Sequence, residues 1–182
     1  LDKDENVLYV ADTYKNRVQK ITLTSTGFGS ASVVLEKQEG SDSSNVELVT
    51  SVAVDSTYLY VLDKNGSNRS IKIYNKNDYS PYFILDLSKF GIEKANKIRV
   101  NPKEENIIYV SETNTSTDKP TKHRIHKFEL NGNNISYVND TKSKWGYRGD
   151  DTGELNNPSG IAFYENKVYV TEIDNNRIQV FK

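Results

Sequence analysis

The sequence of 182 residues contains no cysteine and no methionine, a single tryptophan and only four prolines. Without cysteine, the protein has no disulfides, no thiolate metal ligands and no cysteine nucleophile. No stretch approaches the roughly 18 consecutive apolar residues of a membrane-spanning helix. The formal net charge is only −1 at pH 7, with acidic and basic residues interspersed. We therefore expect neither nucleic acid nor a membrane as a partner, because no strong field would attract them.

Large apolar side chains come mainly from aromatic residues in this polar chain. Only 35% of the residues are hydrophobic and the mean hydropathy is −0.70, yet there are 12 tyrosines and 6 phenylalanines. The length fits one domain or part of a larger repeat array. Thin layers with much surface suit this composition better than one thick core.

A short phrase occurs four times along the chain: an aliphatic residue, Tyr, Val, any residue and an acid. The tyrosines of successive copies are 51, 49 and 60 residues apart. Such a period indicates one supersecondary unit that is used repeatedly. The copies lie at residues 8–12, 59–63, 108–112 and 168–172.

Short segments rich in β-branched and aromatic residues surround each copy, and turn residues separate them. Such segments predict β-strands, and no stretch has a helical apolar period. Four antiparallel strands per repeat predict an all-β fold, a β-propeller of four-stranded antiparallel blades. A β-sandwich is the alternative, but it gives no reason for the phrase to repeat in register. The predicted blade units span approximately residues 1–36, 50–87, 97–138 and 160–182.

Two stretches resemble the NHL repeat: residues 9–20 (YVADTYKNRVQK), and residues 157–181, which begin NPSGIAF and end NRIQVF. Residues 145–149 (WGYRG) resemble the glycine-rich connection that precedes an NHL inner strand. The first and last units carry the resemblance, whereas the middle units lack the Pro-x-Gly sequence before their first strand. NHL repeats form β-propellers, so the resemblance implies the same fold as the strand pattern.

The ends of the sequence fall inside predicted blades. Leu1 aligns with the last apolar residue of an innermost strand, and the chain stops after the third strand of its last unit. Unpaired apolar edges of this kind are avoided in folded proteins. We expect about three and a half blades of a larger propeller, which further blades or another chain complete.

The acid of the repeated phrase recurs together with an arginine at the start of the following strand. A hairpin between the two strands brings the two side chains together, and an Arg fork can hold a carboxylate and nearby carbonyls. We interpret the pairs as structural staples of the hairpins; a functional ring of charges is the alternative. The pairs are Asp12 with Arg17, Glu112 with Arg124, and Glu172 with Arg177.

The sequence offers no evident metal or cofactor site, and we expect none. The two histidines, His123 and His126, are three residues apart on a predicted strand and so point to opposite faces. The NHL group includes metal-dependent amidating lyases that use several histidines, a set that two histidines do not supply. Asp150 and Asp151, in a glycine-containing loop, are a weak alternative for calcium.

Long loops are predicted at residues 37–49, 113–123 and 141–159, all on one face of a propeller. Binding residues are commonly found on such loops. We expect a non-catalytic binding or scaffold module for a protein, peptide or glycan partner, extracellular or at the cell surface. By residue type, Trp145, Tyr147 and Arg148 are the favoured anchors.

Catalysis is the alternative function. A propeller lyase or hydrolase requires a cluster of His, Asp or Glu around its channel. The predicted inner strands offer only Arg99, with Asp55 and Asn101 beside them. The active site of such an enzyme would therefore lie on blades outside this sequence. RNA binding, a property of some NHL propellers, is disfavoured by the near-neutral charge.

Overall fold

The computed structural model describes residues 1–39, 45–65, 68–113, 122–138 and 143–182. These residues form fifteen β-strands and two short 3-10 helices, with no α-helix in the described ranges. The chain divides into two compact units, Leu1–Phe90 and Gly91–Lys182. Each unit contains two antiparallel sheets and a hydrophobic core.

The first unit contains the first and second sheets, in which each strand pairs with the next one along the chain. The 3-10 helices Thr13–Lys15 and Leu87–Phe90 follow β1 and β7, respectively. The first sheet consists of β1 (Val7–Asp12), β2 (Arg17–Thr24) and β3 (Gly27–Glu36), and the second of β4 (Val49–Val54), β5 (Tyr58–Asn65), β6 (Asn68–Asn75) and β7 (Pro81–Asp86).

The second unit contains the third and fourth sheets, again with sequential antiparallel pairing. The third sheet consists of β8 (Ala95–Val100), β9 (Ile107–Thr113), β10 (His123–Asn131), β11 (Asn134–Tyr137) and the two-residue β12 (Lys144–Trp145). The fourth sheet consists of β13 (Pro158–Tyr164), β14 (Lys167–Glu172) and β15 (Arg177–Phe181).

Sequential antiparallel sheets of this kind are the blades of a β-propeller, so the predicted all-β fold class is confirmed. One strand, β12, was not expected. The short β11 pairs only with the second half of β10, and β12 pairs with the first half, at Ile125 and His126. Together, the two short strands pair with one edge of β10, whose backbone N–H and C=O groups would otherwise be unpaired.

Asparagine residues in the left-handed conformation set where several strands begin. Asn6, Asn16, Asn106 and Asn176 have φ angles of 52°, 52°, 60° and 50°. Each one directly precedes a strand, namely β1, β2, β9 or β15. Asparagine tolerates this conformation better than other side chains, so these positions fix the turns locally.

Two of the repeated tyrosines, Tyr9 and Tyr109, lie in the cores between facing sheets. In the first unit, Tyr9 of β1 lies in one apolar cluster with Leu59 and Val61 of β5. In the second unit, Tyr109 of β9 lies against Phe163 of β13, with ring centroids 4.8 Å apart. Burying a side chain of this size stabilises a fold by about 1.5–3 kcal/mol.

Candidate ligand-binding site

Every sheet has a polar cluster at the end of the strand that carries the Tyr-Val phrase. We call these the strand-end clusters. Each cluster consists of the acid of the phrase and two residues of the next strand. In the strand pairing, one of these two residues stands opposite the acid, and the other, two positions later, stands opposite the Val of the phrase. The clusters are Asp12, Arg17 and Gln19; Asp63, Ser70 and Lys72; Glu112, Arg124 and His126; and Glu172, Arg177 and Gln179.

In the fourth cluster, Glu172 is completely buried and accepts hydrogen bonds from four residues. Arg177 Nε and Gln179 Nε2 each donate to Glu172 Oε1 over 2.7 Å. The backbone N–H of Asn156 and the amide of Asn175 donate to Glu172 Oε2 over 2.8 and 2.7 Å. Burial acts to raise the pKa of Glu172, but the hydrogen bonds outweigh it and hold the pKa below its ordinary value.

The same cluster holds the segment that leads into its own sheet. Arg177 donates to the carbonyl oxygens of Asp150, Asp151 and Glu154. Gln179 also donates to the Glu154 carbonyl and accepts a hydrogen bond from the N–H of Gly153. The fourth cluster therefore binds polypeptide main chain, and it also holds the two strands of its own hairpin together.

The second cluster contains a buried ion pair. Lys72 Nζ lies 2.9 Å from Asp63 Oδ2 and also donates to the carbonyl of Asn45. The backbone N–H groups of Glu47 and Leu48 donate to Asp63 over 3.0 and 2.8 Å. As in the fourth sheet, the acid holds the segment that leads into its sheet.

The third cluster differs from the arginine pairing expected for it. His126 Nε2 lies 3.0 Å from Glu112 Oε2, and the N–H of Glu93 donates to Glu112 Oε1 over 3.2 Å. Arg124 stands opposite Glu112 in the β9–β10 register, but forms no salt bridge with it in the described structure. A side chain two residues further along the strand points to the same face and reaches the carboxylate instead.

The first cluster is less enclosed than the other three. Arg17 Nε donates to Asp12 Oδ2 over 2.7 Å and Gln19 Nε2 donates to the same atom over 2.8 Å. The hydrogen bond from Arg17 is the main reason that the pKa of Asp12 lies below its ordinary value. No backbone N–H from the described ranges donates to this carboxylate.

We expect Glu172 to contribute to the acid sensitivity of the protein. Its folded pKa lies below the value of about 4.3 for an unfolded Glu. Its stabilising contribution is therefore complete above that value and is lost as the pH falls through the folded pKa. Thermal melts between pH 7 and pH 3 should show a shallower loss of Tm for Glu172→Gln than for the parent. Parallel curves would contradict this assignment.

A cavity of about 750 Å³ lies in the second unit, at the end of the sheets where the β8–β9 and β13–β14 turns are found. These turns lie at the end of the strands opposite to the predicted long loops, and two further lining residues, Trp145 and Gly153, belong to the predicted loop 141–159. The lining comprises the aromatic residues Tyr109, Trp145 and Phe181, the lysines 103, 127, 167 and 182, and Asn101, Glu104, Gly153, Glu165, Asn166 and Val168.

One wall of the cavity is an ordered hydrogen-bond network around Glu104. Tyr109 Oη and Asn101 Nδ2 donate to Glu104 Oε2 over 2.8 and 2.9 Å, and Lys127 Nζ lies 3.0 Å from Glu104 Oε1. Burial acts to raise the pKa of Glu104, but these hydrogen bonds keep the pKa below its ordinary value. Glu104 is therefore a carboxylate at neutral pH, and it neutralises Lys127.

The rest of the cavity combines aromatic rings with positive charge. The Trp145 ring lies 5.8 Å from that of Phe181 and 6.2 Å from that of Tyr109. The buried indole N–H of Trp145 has no hydrogen-bond acceptor among the described atoms. Lys103, Lys167 and Lys182 also line the cavity, together with Glu165. Such a site suits a ligand with an apolar face and an acidic group.

The three anchors predicted from sequence lie in different environments. Trp145 lines the cavity, whereas Tyr147 and Arg148 do not. Tyr147 is 57% exposed, and its hydrogen bond with Glu154 raises the pKa of the phenol. Arg148 is exposed and forms an isolated bridge with Leu155. Loop residues 40–44, 114–121 and 139–142 lie outside the described residues.

Sequence reasoning missed the residue that completes each cluster and most of the cavity. The residue that completes each cluster stands opposite the repeated Val, so aligning the four repeats could have identified it. These residues are Gln19, Lys72, His126 and Gln179. The cavity had no comparable signal, because its lining comes from two sheets and a connection.

The histidines 123 and 126 are both buried, and His123 Nδ1 accepts the N–H of Asn157. The described ranges contain no group of three or more His, Asp or Glu arranged to hold a metal ion. Within those ranges, no helix has the length and apolar character needed to cross a bilayer.

No protein-family model and no curated protein matches this sequence. Among solved structures, a functionally unknown protein from Desulfotomaculum acetoxidans aligns with 99% of this chain and 49% of its own, with a TM-score of 0.60 and 13% identity. A chain of a nidogen/laminin complex aligns over 96% of this chain and 60% of its own, with a TM-score of 0.56 and 14% identity. At such identities the similarity shows the fold alone. This chain spans 49% and 60% of the length of those two chains.

Proposed function

We propose that this chain is a non-catalytic, NHL-type propeller segment that acts as a binding or scaffold module. Its partner is a protein, peptide or glycan, and the site is the aromatic and lysine-lined cavity of the second unit. The observation that carries the proposal is the combination of Trp145, Phe181 and Lys167 around one cavity.

The assignment to the NHL type is supported by two hairpins that share sequence and geometry. In each hairpin an acid is followed by a left-handed asparagine and then an arginine, at Asn16–Arg17 and Asn176–Arg177. The arginine Nε lies 2.7 Å from the carboxylate in both. These are the stretches whose sequences resemble the NHL repeat.

The acidic character of the partner follows from the charges at the cavity. Glu104 neutralises Lys127, and the other charged side chains of the lining are three lysines (103, 167 and 182) and one acid, Glu165, so that positive charge is in excess. An apolar side chain or the apolar face of a sugar would pack on Trp145, and its acidic group would lie near these lysines. An acidic peptide and a uronate-containing glycan share this chemistry.

The proposal also includes further blades, supplied by a longer chain or by another chain. The face of the fourth sheet that points away from its core carries Tyr164, Ile178 and Val180, which are exposed. Apolar faces of this kind mark contact surfaces. We place the module outside the cell or at its surface, with Tyr147 and Arg148 as additional contacts on the long-loop side.

Trp145 is the chain's single tryptophan, so its fluorescence reports directly on the cavity. We expect a saturable fluorescence change on titration with a hyaluronan tetrasaccharide or with a blocked Asp-Phe-Asp peptide. Lys167→Ala should weaken the affinity about tenfold, which corresponds to the loss of about 1.4 kcal/mol. The neutral sugar cellotetraose should bind much more weakly, because it lacks the acidic group.

Lys144→Ala is the matched control, because Lys144 precedes Trp145 but does not line the cavity. This variant should bind like the parent. An unchanged fluorescence with both acidic probes, or equal affinities of the Lys167 and Lys144 variants, would overturn the proposed site.

A further inference from the structure

The first and fourth strand-end clusters are built alike. Asp12 and Glu172 each accept a hydrogen bond from an arginine Nε over 2.7 Å. The glutamine two residues beyond the arginine donates to the same carboxylate, over 2.8 Å from Gln19 and 2.7 Å in the fourth sheet. The two clusters therefore present the same donors and acceptors in the same register.

The fourth cluster shows what such an arrangement binds. Its carboxylate accepts the N–H of Asn156, its guanidinium donates to the Asp150, Asp151 and Glu154 carbonyls, and its glutamine accepts the N–H of Gly153. Asp63 and Glu112 likewise accept backbone N–H groups from the segments that lead into their sheets. In three sheets the bound group is polypeptide main chain.

The first cluster is formed in the same way but remains accessible. The difference lies at the acid: the Asp12 side chain is 24% exposed, whereas Glu172 is fully buried. The two arginines are similarly exposed, 31% for Arg17 and 29% for Arg177. Leu8, Val10 and Ile21, on the same face of the first sheet, are only half-buried. Their counterparts by register in the second and third sheets are more enclosed, as the complete burial of Val61 and Val110 shows.

We propose that Asp12, Arg17 and Gln19 form a binding site for the main chain of an acidic, glycine-containing polypeptide turn. A backbone N–H of the turn would donate to Asp12, and successive carbonyl oxygens would accept hydrogen bonds from Arg17 and Gln19. This surface lies in the first unit and does not depend on the cavity of the second unit.

Charge supports an acidic turn as the occupant. In the fourth cluster, Asp150 and Asp151 lie beside Arg177 and contribute, after its hydrogen bond with Glu172, to a raised pKa of that guanidinium. Arg17 occupies the equivalent position, so an acidic turn would be attracted to it in the same way.

The probe is a synthetic peptide with the sequence of residues 147–157, titrated into the isotopically labelled 182-residue chain. We expect saturable shifts of the Arg17 Nε–H and Gln19 side-chain NMR signals. Arg17→Ala and Gln19→Ala should each weaken binding at least tenfold. Lys20→Ala is the control, because Lys20 is a similarly exposed cation on the opposite face of β2 that pairs with Glu5.

A second peptide, N-methylated at the position equivalent to Asn156, lacks the N–H that would donate to Asp12. It should bind at least tenfold more weakly than the unmodified peptide. Three results would each overturn the proposal: no binding, equal binding of the methylated peptide, or shifts at Gln179 instead of Gln19. The last result would mean that the peptide replaces the chain's own segment in the fourth cluster.

Discussion

Replacing Asp63 with alanine is expected to lower the free energy of unfolding by about 3–5 kcal/mol, the range for breaking a buried ion pair. The Asp63 side chain is completely buried and that of Lys72 is only 5% exposed. The variant would leave the Lys72 charge without its counter-ion. It would also leave the N–H groups of Glu47 and Leu48 without their acceptor. Urea unfolding followed by circular dichroism measures the difference.

Asp12→Ala is the matched control, because Asp12 holds the same position in the first sheet. Its partner Arg17 is 31% exposed and can turn to water when the carboxylate is removed. We expect a much smaller loss of stability from this variant. Equal losses in the two variants would show that burial of the second cluster has no energetic consequence.

Gly146→Ala is expected to destabilise the protein by about 3–5 kcal/mol, since backbone strain and overpacking act together. Gly146 has a φ of +88°, which L-residues rarely adopt. A Cβ there would overlap Leu155 Cδ1 and would lie 3.0 Å from the carbonyl oxygen of His123. Leu155 is fully buried in the core of the second unit and has little room to move.

Gly153→Ala separates the two causes. Gly153 has nearly the same φ, +89°, but no atom lies within 4 Å of the Cβ position. Only the backbone strain of about 1–2 kcal/mol should remain in this variant. If both alanine variants unfold at the same urea concentration, the close contact with Leu155 does not add to the destabilisation caused by Gly146→Ala.

The hairpins could be predicted from the sequence because their signals are local. The Tyr-Val phrase alternates with polar residues, and turn residues such as Asn16 and Asn176 end or begin each strand. These signals act over a few residues, where conformational preference and burial agree. The strand β12 was missed because two residues carry too little pattern, and only the uncovered edge of β10 explains it.

The strand-end clusters were predicted in part. Pairing each acid with the arginine at the start of the next strand follows from the hairpin register, and the structure has this contact at Asp12 and at Glu172. Arg124 stands directly opposite Glu112 in the register but is not its partner, because the His126 side chain reaches the carboxylate from the same face of the sheet. Register gives the possible partners, but the packing of the strands selects among them.

By itself, the sequence determined the all-β class, the four repeats and the hairpin that holds each acid near the next strand. These features depend on side-chain alternation and turn residues, which operate within one repeat. Only the tertiary structure decided where the cavity lies and which clusters hold a main-chain segment. Both depend on distances between residues far apart in the chain, such as Glu104 and Lys127, or Arg177 and Asp150. Such distances are set by how two sheets pack and how a connection crosses between them, and no local pattern encodes that geometry.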